Sequence, residues 1–141
     1  MIVVDASVAV KWLLVEEGSA EALQLLSEER RLFAPSLMRV EVSGAVVRRY
    51  RQDKLSETDA RSALGRWDDV VATGCVQFIP TDDLLGSAVE LAFAMRHLVA
   101  DCLYLAAGKQ LRARVVTADR TLYDRGRQTF KQLTLLRAAA H

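Results

Sequence analysis

Histidine and cysteine are scarce in this 141-residue chain, two of each, and their placement removes several chemistries at once. Cys75 and Cys102 form no C-x-x-C pair and are too few for a disulfide framework. Each is flanked by apolar neighbours, so both read as small core residues of a protein in a reducing compartment. His97 and His141 lack metal-ligand spacing; His97 suits a helix end or a place behind a site, and His141 a terminal tail. There is no G-x-x-x-x-G-K-[ST] loop and no G-x-G-x-x-G, which excludes the phosphate loops that are recognisable in sequence. Neither sign of charge is in excess: 19 Lys and Arg stand against 18 Asp and Glu, a net charge of +1. Nothing therefore pulls the whole molecule toward nucleic acid or membrane, and any polyanion site has to be local. No apolar run approaches membrane-spanning length, and the N-terminus has no secretory signal pattern, so a soluble, unprocessed, cytoplasmic protein is expected. Repeats, linkers and low-complexity tracts are absent as well. The length fits one domain, 1–141, able to bury a sizeable core.

What is present is an alternation of short apolar strands and longer amphipathic helices. The opening "MIVVDASVAVKWLL" starts with a β-branched run, Ile2 to Val4, too continuous for an exposed strand and suited to a buried parallel one. Ser7 is the expected N-cap of the helix carrying Val8, Trp12 and Leu13, and Gly18 and Ser19 separate it from a second helix. A strand at Arg31 to Ala34 is followed by a helix that begins with Pro35 and Ser36 and runs to about Arg51. Ser56 caps the next helix. "VQFIP" is a strand, Asp82 or Asp83 starts a helix, "ADCLYLAAGKQL" is another, "RVVT" is a strand, and a last strand lies near Leu133 to Leu136. This alternation predicts an α/β fold, a three-layer α/β/α sandwich with a central parallel sheet, whose sites form beyond the carboxyl ends of the strands.

Four acidic residues stand where such a site would be. Asp5 and Asp119 each follow a predicted strand, although singly they read equally well as a turn residue and a helix cap. Glu41 has Leu37, Met38 and Ala45 as its helical neighbours, so its charge lies on or beside a buried stripe and needs a partner, a proton or a cation. Arg39 or Arg48 would serve as that partner, or the side chain reaches solvent at the edge of the stripe. Asp101 borders Leu98, Tyr104 and Leu105, and caps a helix if that helix starts at Cys102. If all four meet, their mutual repulsion, about 4 kcal/mol for a pair ~4 Å apart at an effective dielectric of 20, calls for a divalent cation. Oxygen-only ligands favour Mg²⁺ or Mn²⁺ over zinc, and phosphodiester hydrolysis is the natural chemistry of such a centre. Ser7 and Thr117 are placed to orient the aspartates two residues away.

The segments "MIVVDASVAVKWLL", "APSLMRVEVSGAVVRR" and "VADCLYLAAGKQLRARVVTADRTLYDRG" resemble the ordered motifs of PIN-domain ribonucleases, especially the VapC toxins of toxin-antitoxin pairs. The resemblance spans nearly the whole chain. It implies a parallel sheet between helices and a Mg²⁺- or Mn²⁺-dependent endoribonuclease with Asp5, Glu41, Asp101 and Asp119 as its catalytic, metal-binding acids. Ser7 and Thr117 match polar residues that accompany them. It also implies a homodimer and a VapB-type antitoxin that wraps the toxin. One position departs from the pattern: Gly44 stands where many relatives carry Asn, which either weakens the helix or admits close packing of another helix or of the antitoxin.

RNA is a polyanion, so an acidic centre needs basic residues at its rim. Arg120, beside Asp119, and Arg48 and Arg49 at the end of the Glu41 helix are the main candidates, with Arg51, Arg125 and Arg127 further out. Trp12, Trp67 and Tyr50 are available either as core residues or as interface anchors. Two other classes compete with the enzyme: a catalytically silent PIN-like module that binds RNA or protein, and a phospho-receiver domain, which would need an acidic pair after the first strand and a lysine after the last. The sequence has neither.

Overall fold

A computed structural model describes residues 1–28 and 31–136. The strands are β1 (Ile2–Val4), β2 (Leu32–Pro35), β3 (Val76–Ile79), β4 (Arg114–Thr117) and β5 (Leu133–Leu135). The helices are α1 (Ala6–Leu13), α2 (Ser19–Ser27), α3 (Met38–Arg51), α4 (Glu57–Thr73), α5 (Thr81–Met95), α6 (Val99–Leu111) and α7 (Arg120–Gly126). All strand pairings are parallel, in the order β3-β2-β1-β4-β5. Val3, Val4 and Val115 have no exposed surface, as β-branched residues do when helices cover both faces of a sheet.

Helical crossovers carry the chain from β1 outward to β3 and then, after α5 and α6, back to the other side of β1. The direction reverses between β1 and β4, and the carboxyl ends of those two strands flank the crevice where such sheets bind ligands. Receiver-like sheets run 2-1-3-4-5, so this strand order removes the phospho-receiver alternative. Asp5 N–H donates to the Val116 carbonyl at 2.9 Å, which continues the β1–β4 ladder and pins Asp5 at the crevice.

Several local expectations are revised. Pro35 completes β2, in register with Ile79, and α3 begins only at Met38. The delay follows from a clamp: Ser36 and Thr81 hydroxyls meet at 3.0 Å, and Leu37 N–H donates to Thr81 Oγ1. α5 starts at Thr81, ahead of both aspartates that were expected to open it. The cap of α1 is Asp5, whose carboxylate accepts from Ser7 N–H; Ser7 is not the cap. Ser56 does cap α4, accepting from Asp59 N–H at 3.1 Å. Both tryptophans are buried, and Trp12 donates its ring N–H to the Ala22 carbonyl, so of the three interface candidates only Tyr50 is exposed. Cys102 is buried, but Cys75 is not: Gly74, at φ 73°, ends α4 and turns Cys75 to the surface before β3 begins. His141 lies outside the described residues. Among those residues, no single helix is long and apolar enough to cross a membrane.

Gly44 sits mid-α3 with nothing within 4 Å of where a Cβ would stand, so among the described residues no other element packs close against it. Its remaining effect is on the helix. Gly44→Ala should stabilise the isolated protein by about 0.5–1 kcal/mol, read as a melting temperature about 2–4 °C higher. An unchanged or lower value would mean that the α3 backbone at this position departs from an ordinary helix.

Candidate functional site

A cavity of about 360 Å³ opens at the carboxyl ends of β1 and β4, and Asp5, Glu41, Asp101 and Asp119 all line it. Each reaches it by a different route. Asp5 ends β1 and caps α1. Glu41 lies in the first turn of α3, and Asp101 in the first turn of α6, which starts at Val99, so Asp101 is inside the helix and does not cap it. Asp119 caps α7, accepting from Thr121 and Leu122 N–H at 2.9 and 3.2 Å.

Asp5 is the most enclosed, at 5% exposure. Its Oδ2 accepts from Ser7 N–H at 3.3 Å, Ser7 Oγ at 2.5 Å and Thr117 Oγ1 at 2.9 Å. Ser7 and Thr117 are themselves fixed, accepting from the Ala118 and Asp119 N–H groups. These two hydroxyls tie α1, β4 and the Asp119 turn into one unit around a single carboxylate oxygen. Glu41 finds Tyr104, and neither of the arginines offered by sequence: the phenol donates to Oε1 at 2.5 Å. Tyr104 has no exposed surface, and the part-buried bond joins α3 to α6. His97 Nε2 stands 2.6 Å from Asp101 Oδ2, and its Nδ1 is buried with no hydrogen-bond partner among the described residues. That pattern places the ring proton on Nε2, donating to Asp101.

Burial pushes the Asp5 carboxyl above its ordinary range; the hydrogen bonds from Ser7 and Thr117 oppose this, and the Asp101 charge adds to it. Glu41 is raised for the same first reason, opposed by Tyr104 and reinforced by Asp5 and Asp101. Burial also pushes the Cys102 thiol up to about 11, with Asp101 contributing, and shifts Tyr104 upward. Carboxylates that raise one another in this way favour protons or a cation.

The donor set fits a hard cation by its bonding pattern. Each carboxylate commits one oxygen to the protein: Asp5 Oδ2, Glu41 Oε1, Asp101 Oδ2 and Asp119 Oδ1. The second oxygen of each has no hydrogen-bond partner among the described residues. The four stand around the cavity and do not converge on one point: among the described residues, no three Asp, Glu, His or Cys side chains form a compact cation cluster. A cation there would be shared with water and substrate oxygens, as Mg²⁺ commonly is.

Of the basic candidates, Arg48 and Arg49 line the cavity. Arg49 is paired with Glu16 at 2.8 Å. Arg120 lies outside, beside a neighbouring hollow of about 240 Å³, with its Nε 3.9 Å from Asp124. Arg125 donates to the Arg96 carbonyl, and Arg127 stacks over Tyr123. Tyr104, Lys11 and Glu16 also belong to the site and were not anticipated. Two of them carried a signal: Tyr104 lies three residues beyond Asp101, and Lys11 four beyond Ser7, spacings that share a helix face. Glu16 is on a loop, where no such period operates.

Fold and site together define a parallel α/β protein with an oxygen-only acidic cavity at the point where its strand order reverses. More particularly, the chain belongs to the PIN domain family, which it matches over residues 2–128. It is also similar to a solved chain described as "Toxin-antitoxin complex from Klebsiella pneumoniae". The TM-score is 0.63 at 12% identity, over 99% of this chain and 100% of that one, a likeness of fold. No curated relative matches the sequence.

Proposed function

We propose that this protein is a VapC-type toxin: a Mg²⁺- or Mn²⁺-dependent endoribonuclease of the cytoplasm that hydrolyses RNA phosphodiester bonds and is restrained by a VapB-type antitoxin. The observation that carries this reading is the set of four carboxylates around one cavity, each keeping one oxygen free of protein hydrogen bonds. Membership of the PIN domain family, whose general activity is that of a nuclease, and the fold likeness to a chain from a toxin-antitoxin complex support it. When bound, the cation supplies an activated water, a clamp on a phosphate oxygen and charge stabilisation of the leaving oxyanion.

The protein's own part is to hold the acids. Ser7 and Thr117 fix Asp5, Tyr104 fixes Glu41, His97 fixes Asp101, and the α7 amides fix Asp119. Arg48 and Arg49 at the rim attract the RNA backbone, and Arg120 lies further along its path. The family resemblance extends the proposal to a homodimer. The competing reading, a PIN-like module that binds RNA or protein without cutting, accounts less well for four carboxylates around one cavity, two of them raised by burial, an arrangement that is costly to keep without a cation.

Purified protein incubated with total cellular RNA should give discrete products with Mg²⁺ or Mn²⁺ and none with chelator, and Asp101→Asn should remove them. Intact RNA under every metal, with the protein folded and free of antitoxin, would leave the binding module as the better reading.

A further inference from the structure

One side of the acidic cavity carries a group of charges that the acid site does not use. Glu16, on the loop after α1, sits between two cations: Lys11 Nζ meets Oε1 at 3.2 Å, and Arg49 Nη2 meets Oε2 at 2.8 Å. Lys11 also donates to the Glu17 carbonyl at 2.6 Å, and Arg49 Nη1 to the Ala45 carbonyl at 3.5 Å. The three side chains come from α1, a loop and α3, and all line the same cavity as the acids.

A carboxylate shared by two cations leaves the group with a net positive charge, and Arg48, without an ion pair among the described residues, adds to it. Donor capacity remains after the clamp is made. A lysine has three N–H donors and an arginine five, and the bonds above use two on each. A phosphate oxygen can therefore be held without breaking Glu16 away.

The position of Glu16 also answers a problem of geometry. Two cations lining a cavity that also bears four carboxylates with free oxygens would be drawn onto those oxygens and would occupy them. Glu16 offers a nearer partner. At 26% exposure it is shielded enough from water for the attraction to persist.

We infer that Lys11 and Arg49, kept off the four acids by Glu16, form a subsite for a backbone phosphate of single-stranded RNA next to the cleavage position, with Glu16 as the positioning residue. The inference rests on the ribonuclease reading, and adds to it a defined second phosphate contact and the means by which cations and acids coexist in one cavity.

The test measures binding of a short single-stranded oligoribonucleotide by fluorescence anisotropy, in chelator so that nothing is cut, over a range of salt. Lys11→Gln and Arg49→Gln should each lower the slope of log K against log[salt] by about 0.7 and weaken binding roughly fivefold near 0.1 M salt. Arg61→Ala, on the exposed face of α4, should leave both unchanged. Mn²⁺ titrated calorimetrically into RNA-free protein should bind more weakly to Glu16→Gln than to wild type, and Glu16→Gln combined with Lys11→Gln should recover part of the loss. If wild type cuts RNA with Mn²⁺ while both cation variants keep its salt slope, the subsite is overturned and the nuclease stands. If Mn²⁺ binding is indifferent to Glu16, its positioning role is overturned. Wild type that neither binds RNA in chelator nor cuts it with metal overturns the subsite and the ribonuclease reading together.

Discussion

Asp5→Asn should abolish metal-dependent RNA cleavage and, in the metal-free protein, raise the melting temperature at neutral pH. The two effects have one cause. Asp5 is 5% exposed and burial raises its carboxyl above the ordinary value of 3.8, so its charge is held at a cost to the fold. The folded state keeps the proton to higher pH than the unfolded chain does. The stability associated with the protonated form is therefore fully present below about pH 4 and is lost as pH rises through the raised native value. Glu41, raised from 4.5, slopes the same way.

Asparagine removes the Asp5 charge and keeps its structural work. Its carbonyl oxygen can accept from Ser7 and Thr117 as Oδ2 does, and Asn caps helices as well as Asp. Wild type should thus lose stability between pH 4 and 7 more steeply than the variant, with the gap in melting temperature closing toward pH 4. Removing a partner that merely orients a metal ligand costs about 10–100-fold in activity or affinity. Removing the charge of the most enclosed acid should cost on the order of 100-fold or more in cleavage. Paired measurements separate the possibilities. A variant that melts higher and still cuts RNA would dismiss Asp5 from the chemistry, and one that fails to cut but melts lower would make the loss a folding defect.

The placement of the four acids around one cavity was legible from their positions taken together, two at the ends of continuous β-branched strands and two beside apolar helical stripes, although each read singly as a turn, cap or paired residue as well. Which partner each acid takes was not legible, because partners come from distant elements. Glu41 and Tyr104 are 63 residues apart, and Thr117 reaches Asp5 across 112. Only the strand order brings them together. Arg120 stands differently, lining a neighbouring hollow. Adjacency to Asp119 in sequence suggested adjacency to the site, but Asp119 is a cap, and the first residue of the helix it opens points along a different wall. Cys75 misled for a related reason, since apolar neighbours in sequence do not bury a residue that a left-handed glycine turns outward.

The largest purely structural effect is expected at Gly108. Alanine there should gain about 1 kcal/mol of helix propensity within α6. Its Cβ would also lie 2.4 Å from Val115 Cγ2, 2.9 Å from Phe130 Cζ and 3.2 Å from the Ala113 carbonyl oxygen. The Phe130 ring can swing aside. Val115 cannot, because it is fully buried in β4, paired to Val3 on one side and Leu133 on the other. Overpacking of a dense core costs about 1–3 kcal/mol, and an overlap of this depth belongs at the upper end. The expected net loss is about 1–2 kcal/mol, a fall of roughly 3–8 °C in melting temperature, opposite in sign to Gly44→Ala on α3. The strain also has a direction. β4 ends in Thr117, the hydroxyl that holds Asp5, so pushing Val115 outward shifts the donor of a hydrogen bond in the candidate site two residues away. Cleavage measured well below the melting temperature should therefore drop along with stability. Gly108→Ala combined with Val115→Ala should recover part of the lost cleavage by removing the overlap, a coupling expected of residues in contact. Additive losses in the double variant would show that α6 and β4 do not press on each other at this point.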